Sequence, residues 1–272
     1  MKITNLIDNI SSDPKLLAEH GLSTYIEWKN QKILFDLGHT DKFAQNAIQL
    51  KIDLSTVDTV IISHGHYDHG GGLKAFLRLN TKAKVYIHHA AFRPHYSIKE
   101  DELKVIGIDS TLLNHPQVIL VHNYPYEIER GLTLFANIIQ KDLIPSGNKV
   151  LLEGYKQLPD AFLHEQNLLI KEKDHCVLMA GCAHNGIVNI VEQVQAQIDR
   201  PITHVFGGFH LYNLTMDTIE DPTIIAALAL RLKTSAAQYH TGHCTGLKPY
   251  AILKETLGDQ IDYFEVGHQL SI

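Results

Sequence analysis

The sequence of 272 residues predicts an α/β protein of the α+β type, in which two β-sheets face each other and carry helices on their outer sides. Short apolar runs rich in β-branched residues alternate with segments of helical spacing along most of the chain. The order hairpin, histidine loop and helix also occurs twice, in residues 24–79 and again in residues 165–198. Two such halves are expected to pack as layers, because each sheet must bury an apolar face.

The first half contains a predicted hairpin with strands at Tyr25–Trp28 and Ile33–Asp36, which turns at Lys29–Lys32. The apolar run VDTVIIS, residues 57–63, is typical of a buried strand, and it ends at the histidine loop. The other predicted elements of this half are strands at 2–7 and 83–89 and helices at 41–52 and 71–79.

The second half follows predicted strands at Val118–Val121 and Leu132–Phe135. Proline and glycine interrupt residues 91–116 and 137–160, which we expect to be irregular insertions in a single domain that spans residues 1–272. The remaining predicted elements are strands at 203–211, 238–246 and 261–272 and helices at 186–198, 221–237 and 248–258.

Composition excludes several function classes. The formal charge is −6 and no Lys/Arg run occurs, so a nucleic acid is not the expected partner. No apolar run reaches the roughly 20 residues that a membrane span needs. The first 15 residues lack the pattern of a signal peptide, and three cysteines without a paired spacing suit a reducing compartment, so we expect a cytoplasmic protein.

Histidine is the unusual component, with 18 residues in the chain. The segment SHGHYDHGGG, residues 63–72, places His64, His66, Asp68 and His69 directly after a buried strand. Imidazole nitrogen and carboxylate oxygen are ligands that zinc and other borderline divalent metals accept. One metal is not expected to take all four side chains, so the loop favours two metal sites.

Three further histidines stand at the ends of predicted strands and beside glycine: His184 in GCAHNG, His210 in GGFHL and His243 in TGHCTG. Any one of them alone would be as well explained by a structural histidine. Their shared context instead indicates that they belong to the same kind of site.

The motif SHGHYDHGGGL resembles the H-x-H-x-D-H signature of the metallo-β-lactamase-fold superfamily, and ILFDLG resembles its strand that ends in Asp-x-Gly. AGCAHNGIVNIVE, FGGFHL and TGHCTG are similar to one branch, the metal-dependent hydrolases related to dihydropterin-ribofuranosylaminobenzene phosphate synthase. The resemblance runs from about residue 20 to the C-terminus and implies a four-layer αββα sandwich with metals along one edge.

The resemblance also implies two divalent metal ions, most readily zinc, with manganese or iron as alternatives. The implied ligands of the first metal are His64, His66 and His184, and those of the second are Asp68, His69 and His243. His210 falls where many members have a bridging carboxylate, which a neutral imidazole cannot replace. It is therefore expected to bind one metal alone, unless hydroxide is the only bridge or the second site is weak.

These ligands imply a hydrolase that uses a metal-activated hydroxide, with Asp68 as second-metal ligand and catalytic water orienter. Asp68 and one hydroxide would offset only part of the charge of two divalent ions, so the site should stay positive. We therefore expect a small anionic substrate, above all a phosphate ester or phosphodiester.

Four other residues are candidates near the site. Asp36 is expected to form a hydrogen bond with the histidine loop, residues 63–72, without binding the metal itself. His164 in the triplet HEQ and Tyr212 are expected at the pocket edge, and Arg93 could bind an anion through its guanidinium. Each also has an ordinary structural explanation, as a turn, surface or core residue.

Two cysteines, Cys182 and Cys244, adjoin ligand positions, and both are expected to be buried and inert. Two alternatives to the hydrolase stay open. The same ligand set could hold iron in a redox enzyme of this fold, or the chain could be a non-catalytic ligand-binding protein that retains a metal site.

Overall fold

The computed structural model describes all 272 residues. The chain forms two compact units. Unit 1 comprises Met1–His95, Ile106–Asn123 and Phe264–Ile272, and unit 2 comprises Tyr96–Val105 and Tyr124–Tyr263. The predicted extent of a single domain, residues 1–272, stays a prediction.

The chain contains 20 strands and six helices. The strands are β1 (Lys2–Ile7), β2 (Ser23–Trp28), β3 (Gln31–Phe35), β4 (Thr59–Ile62), β5 (Lys84–His88), β6 (His95–Lys99), β7 (Glu102–Val105), β8 (Val118–Val121), β9 (Tyr126–Glu129), β10 (Leu132–Ala136), β11 (Leu151–Glu153), β12 (Leu158–Pro159), β13 (Gln166–Glu172), β14 (His175–Met179), β15 (His204–Gly207), β16 (Tyr212–Asn213), β17 (Thr218–Ile219), β18 (Gln238–Thr241), β19 (Ile261–Tyr263) and β20 (Gln269–Ser271). The helices are α1 (Lys42–Gln49), α2 (Tyr67–Gly70), α3 (Leu73–Leu79), α4 (Ile187–Gln195), α5 (Pro222–Lys233) and α6 (Leu247–Leu257). None of the helices is long and apolar enough to cross a membrane.

Unit 1 is built on a seven-stranded sheet in the order β20-β1-β2-β3-β4-β5-β8. The strands from β20 to β3 pair antiparallel, and those from β3 to β8 pair parallel. Phe43 of α1 and Phe76 of α3 pack with Val60 and Val85 of the sheet in one buried cluster. The predicted hairpin of β2 and β3 and the predicted buried strand β4 are confirmed.

Unit 2 contains a seven-stranded sheet in the order β19-β18-β15-β14-β13-β10-β9. Strands β14, β15, β18 and β19 pair parallel, so their carboxyl ends lie at the same edge. Ile190 of α4, Leu228 of α5 and Leu253 of α6 share a buried cluster with Val205 and Tyr239 of the sheet. The second occurrence of hairpin, histidine loop and helix is confirmed by β13, β14 and α4.

The two segments expected to be irregular contain strands. Strands β6 and β7, from residues 91–116, pair with β11 and β12, from residues 137–160, in a four-stranded sheet ordered β12-β11-β6-β7. The turn between β6 and β7 is formed by Glu100 and Asp101, both with left-handed backbone. Turns of this conformation usually contain asparagine or glycine, so the sequence carries no hairpin signal here.

Candidate metal centre

The histidine loop of unit 1 leaves the carboxyl end of β4 and turns at once into α2. Gly65 permits this course because a Cβ atom there would lie 2.3 Å from the backbone oxygen of Ala91. His66 pairs with Gly107 in an isolated β-bridge, and the backbone N–H of Tyr67 donates to the carbonyl of Ile106. Backbone pairing with residues 106 and 107 therefore fixes the position of the loop.

A hydrogen-bond chain behind the loop sets the orientation of His64. The hydroxyl of Ser63 donates to Oδ2 of Asp36 at 2.7 Å, and its oxygen lies 2.9 Å from Nδ1 of His64. Because the hydroxyl gives its only proton to Asp36, its oxygen accepts a proton from Nδ1 of His64, which leaves a lone pair on Nε2. This Nε2 lies 3.1 Å from Nδ1 of His66.

The spacing of these two nitrogens fits a shared metal ion. Two imidazole nitrogens on one tetrahedral zinc, each at 2.0–2.1 Å, lie about 3.3 Å apart. His64 is fully buried and His66 almost fully buried, so the metal would be shielded from bulk water on this side.

His69 is oriented by the same aspartate. Oδ2 of Asp36 lies 2.7 Å from Nδ1 of His69, so His69 presents Nε2 on the opposite side of its ring. Oδ2 of Asp68 lies 3.6 Å from that Nε2 and 3.2 Å from Nε2 of His20. Asp68 and His69 thus form a second pair of metal-type donors in unit 1.

In unit 2, His184, His210 and His243 follow three neighbouring parallel strands, β14, β15 and β18. Their loops leave the same edge of the sheet, as the sequence pattern indicates. The rings of His184 and His210 lie 4.3 Å apart between centroids.

Four of these loop positions in the two units have left-handed backbone at residues other than glycine: Asp36, Ala183, His210 and His243, with φ between 48° and 60°. Each such residue costs on the order of 1 kcal/mol and is held only when its surroundings determine it. Strained backbone at four strand-end loops is typical of a functional site.

His184 is held by two side chains that the sequence analysis did not identify. Asn148 donates from Nδ2 to the carbonyl of His184 at 2.8 Å and places Oδ1 2.9 Å from its Nδ1. Since Nδ1 donates to this oxygen, the lone pair stands on Nε2. Phe162 stacks on the ring with 4.3 Å between centroids.

The buried Glu165 organises the backbone of the same loop. Its carboxylate accepts hydrogen bonds from the N–H of His184 at 2.6 Å and of Asn185 at 3.1 Å, and from Nδ2 of Asn185 at 2.7 Å. Burial raises the pKa of Glu165, and the hydrogen bonds from Asn185 and His184 oppose that rise. Through these contacts Glu165 holds the backbone of the loop, and none of them involves a ring nitrogen of a histidine.

Cys182 and Cys244 are buried, as predicted, and neither forms a disulfide. The ligand atoms of Cys182, His184 and His210 all lie within 4.8 Å of one another. Burial raises the pKa of Cys244, but the neighbouring Cys182, His210 and His243 outweigh it and hold the pKa well below its usual range.

The structure also places the other three predicted site residues, His164, Tyr212 and Arg93. His164 is fully buried, and its Nε2 lies 3.1 Å from Oδ2 of Asp160, a residue that the sequence analysis missed. The hydroxyl of Tyr212, on β16, donates to Asp217 at 2.8 Å. Arg93 is exposed in the segment that follows β5.

Imidazole nitrogens, a carboxylate and a thiol are donors that zinc and similar metals accept, so the side chains of both units fit a divalent metal ion. His20 and Asn148 carried no sequence signal, because each is an ordinary polar residue outside a spaced motif. Only the fold brings them against the histidines.

Comparison with known proteins confirms the fold. The family model described as Metallo-beta-lactamase superfamily matches residues 17–156, more than half of the chain. An uncharacterized protein of Methanocaldococcus jannaschii is 28% identical over 268 residues, which are 97% of this chain and 96% of that protein. The 7,8-dihydropterin-6-methyl-4-(beta-D-ribofuranosyl)-aminobenzene-5'-phosphate synthase of the same organism is 24% identical over 266 residues, covering 92% of this chain and 89% of that enzyme.

A solved structure of the same superfamily is also similar to this chain. Tm1679, described as a metal-dependent hydrolase of the beta-lactamase superfamily, is 28% identical, with a TM-score of 0.83 over 100% of this chain and 99% of its own. The resemblance inferred from the histidine motifs and the αββα fold class are thereby confirmed.

Proposed function

Because the chain belongs to the metallo-β-lactamase superfamily, we propose that it is a metal-dependent hydrolase that acts on a small phosphate ester or phosphodiester. The observation that carries this proposal is the distance of 3.1 Å between Nε2 of His64 and Nδ1 of His66. The nitrogens face each other, and the orientation of His64 is fixed through Ser63 to the buried Asp36.

We assign two divalent metal ions, with zinc as the favoured metal because histidine nitrogens dominate the donor set. The proposed ligands are those that the motifs imply, His64, His66 and His184 for one ion and Asp68, His69 and His243 for the other, with His210 on one ion only. Asp36 and Asn148 would act behind the ligands, since each accepts a hydrogen bond from Nδ1 of a ligand histidine.

A bound divalent metal lowers the pKa of water to about 7 and so supplies a nucleophile at neutral pH. Asp68 would orient the attacking water, because its Oδ2 can accept the water's proton. Nε2 of His20 lies 3.2 Å from the same oxygen, within hydrogen-bond distance, and would hold the carboxylate in place. No serine or cysteine nucleophile is required.

The charge of the proposed ligand set favours an anion. Asp68 is its only carboxylate, since the other ligands are neutral imidazoles, so two divalent ions would leave the site positive. The name of the synthase relative includes a 5'-phosphate, which agrees with a phosphorylated small molecule. We propose no nucleic-acid partner, and a reducing compartment such as the cytoplasm.

Metal analysis tests the centre first. Protein purified without added metal should contain two zinc or manganese ions per chain, and His210→Ala should lower this number toward one. His122→Ala, which removes an exposed histidine, serves as the matched control and should keep both ions. One ion that is unaffected by His210→Ala would contradict the dinuclear assignment, and iron would direct the search to redox substrates.

A substrate panel tests the reaction. The metal-loaded protein should hydrolyse p-nitrophenyl phosphate or bis(p-nitrophenyl) phosphate faster than the neutral p-nitrophenyl acetate. Asp68→Asn should reduce kcat by about 100-fold or more, since a positioned acid–base group contributes on the order of 10²–10⁴. Faster turnover of the neutral ester would refute the preference for anions, and binding without turnover of any ester would favour a ligand-binding protein.

A further inference from the structure

Cys182 lies two residues before His184, in the loop that follows β14, and its side chain is buried. The sequence alone favoured an inert thiol at this position. The structure instead brings Sγ of Cys182 together with ring nitrogens of His184 and His210, all within 4.8 Å of one another. Three donor atoms at this spacing can contact a single metal ion.

His210 provides an independent observation that points to a metal ion. Both of its ring nitrogens are buried, and neither has a hydrogen-bond partner. A buried polar atom without a partner destabilises the folded state. Gly147 lies close to the ring of His210: a Cβ atom on Gly147 would be 3.1 Å from Nε2 of His210. A metal ion beside Cys182 would satisfy one of these nitrogens.

The backbone of the loop is fixed in a way that serves this arrangement. His210 has left-handed backbone, and its N–H donates to Sγ of Cys244 at 3.3 Å. The thiol of Cys244 in turn donates to the carbonyl of Cys182 at 3.7 Å. Cys244 is therefore engaged by two backbone groups and links the loops of Cys182 and His210, whereas Cys182 is the cysteine grouped with both histidines.

We propose that Cys182 is a metal ligand whose thiolate shares one ion with His184 and His210, an assignment that rests on the proposed metal centre. On binding, the thiol releases its proton to solvent and the sulfur lone pair coordinates the ion. Thiolate is a soft ligand that favours zinc or cobalt over manganese or magnesium. A site with this thiolate would therefore select zinc or cobalt. A site made only of the histidines and Asp68 would select less strongly among these metals.

Cobalt substitution tests the proposal without relying on activity. The cobalt-loaded protein should show a sulfur-to-cobalt charge-transfer band in the near ultraviolet, besides the weaker d–d bands in the visible. The band should disappear in Cys182→Ala and persist in Cys244→Ala. Cys176→Ala is the matched control, since Cys176 is buried in the core of unit 2, and it should keep the band.

The zinc protein itself provides a second measurement that needs no substitution. X-ray absorption at the zinc edge should show a sulfur neighbour at about 2.3 Å besides nitrogen and oxygen at about 2.0–2.1 Å. Absence of sulfur, or a cobalt band that survives Cys182→Ala, would overturn the role of Cys182 and leave the hydrolase proposal intact. Absence of all cobalt d–d bands would overturn the metal centre as well.

Discussion

Oδ2 of Asp36 lies 2.7 Å from Nδ1 of His69, and neither side chain is exposed to solvent. The same carboxylate accepts hydrogen bonds from the N–H and the hydroxyl of Ser63, both at 2.7 Å. One buried aspartate thus orients two of the histidines proposed to bind metal, His69 directly and His64 through Ser63. It determines which nitrogen of each ring is presented.

Asp36→Asn should weaken metal binding while the chain still folds. An amide offers one acceptor oxygen where the carboxylate has two, so either Ser63 or Nδ1 of His69 faces a donor. We expect zinc affinity to fall by about 10- to 100-fold, the usual cost of losing a partner behind a ligand. Competition with a chromophoric chelator measures this. Asp101→Asn, at an exposed carboxylate, should leave the affinity unchanged, and equal affinities for both variants would contradict the role of Asp36.

Asn148→Ala tests the corresponding contact in unit 2. The variant removes the oxygen that accepts from Nδ1 of His184, so the imidazole can adopt the other tautomer and rotate. Zinc affinity should again fall by about tenfold or more. The same chelator titration would show this, whereas the midpoint of thermal unfolding of the metal-free protein should change little, since Asn148 is partly exposed. A lower midpoint with intact affinity would instead mean that Asn148 has only a structural role.

Stability should fall in mild acid because of His240. Burial, followed by the charge of His204, lowers the pKa of His240 to about 4, although Asp262 opposes the shift. The unfolded chain binds a proton near pH 6.5 and the folded chain does not. The contribution of His240 is therefore fully present above about pH 6.5 and declines until about pH 4, by at most about 3 kcal/mol.

Urea unfolding between pH 4 and pH 8 measures this decline. His240→Phe keeps an aromatic ring beside Phe206, on which His240 stacks with 4.4 Å between centroids. The free energy of unfolding of this variant should depend less on pH than that of the wild type. Parallel pH profiles for the two proteins would rule out His240 as the cause. His204, whose pKa burial also lowers, should contribute in the same direction.

Gly65→Ala should destabilise the protein by about 3 kcal/mol, because the nearest atom to the added Cβ belongs to the backbone and cannot move aside as a flexible side chain would. The added Cβ atom would lie 2.3 Å from the carbonyl oxygen of Ala91. Gly107→Ala is the matched control, since its nearest neighbour is the backbone nitrogen of His95 at an ordinary 3.4 Å. Thermal unfolding compares them, and equal midpoints would show that the loop can shift to admit a side chain.

The sequence could predict the positions of the histidines because the rule behind them is local. A buried strand followed by ligand residues and glycine places those residues at a sheet edge, as His64 and His184 show. The partners behind them could not be predicted. Asn148 reaches His184 from a turn far away in the chain, and nothing in its local sequence distinguishes it from a loop asparagine.

The expectation of irregular segments was wrong for a physical reason. The pairing of β6 with β11 is non-local, so proline and glycine within the segments concealed a sheet that only tertiary contacts form. The expectation that Cys182 is inert stays a prediction, and the proposed metal ligation is the alternative to it. The sulfur of Cys182 lies within 4.8 Å of ring nitrogens of His184 and His210. The left-handed backbone of these loops, at Ala183 and His210, has no sequence signature outside glycine and asparagine.

The parallel order of β14, β15 and β18 also governs when the centre can form during folding. His184, His210 and His243 meet only after two helical crossovers, through α4 and α5, have closed, and such long-range connections form late. In refolding experiments, high-affinity zinc uptake should therefore lag behind the recovery of helical circular dichroism. The metal would then bind only chains whose sheet has the native strand order, and its binding free energy would stabilise the native topology over misfolded ones.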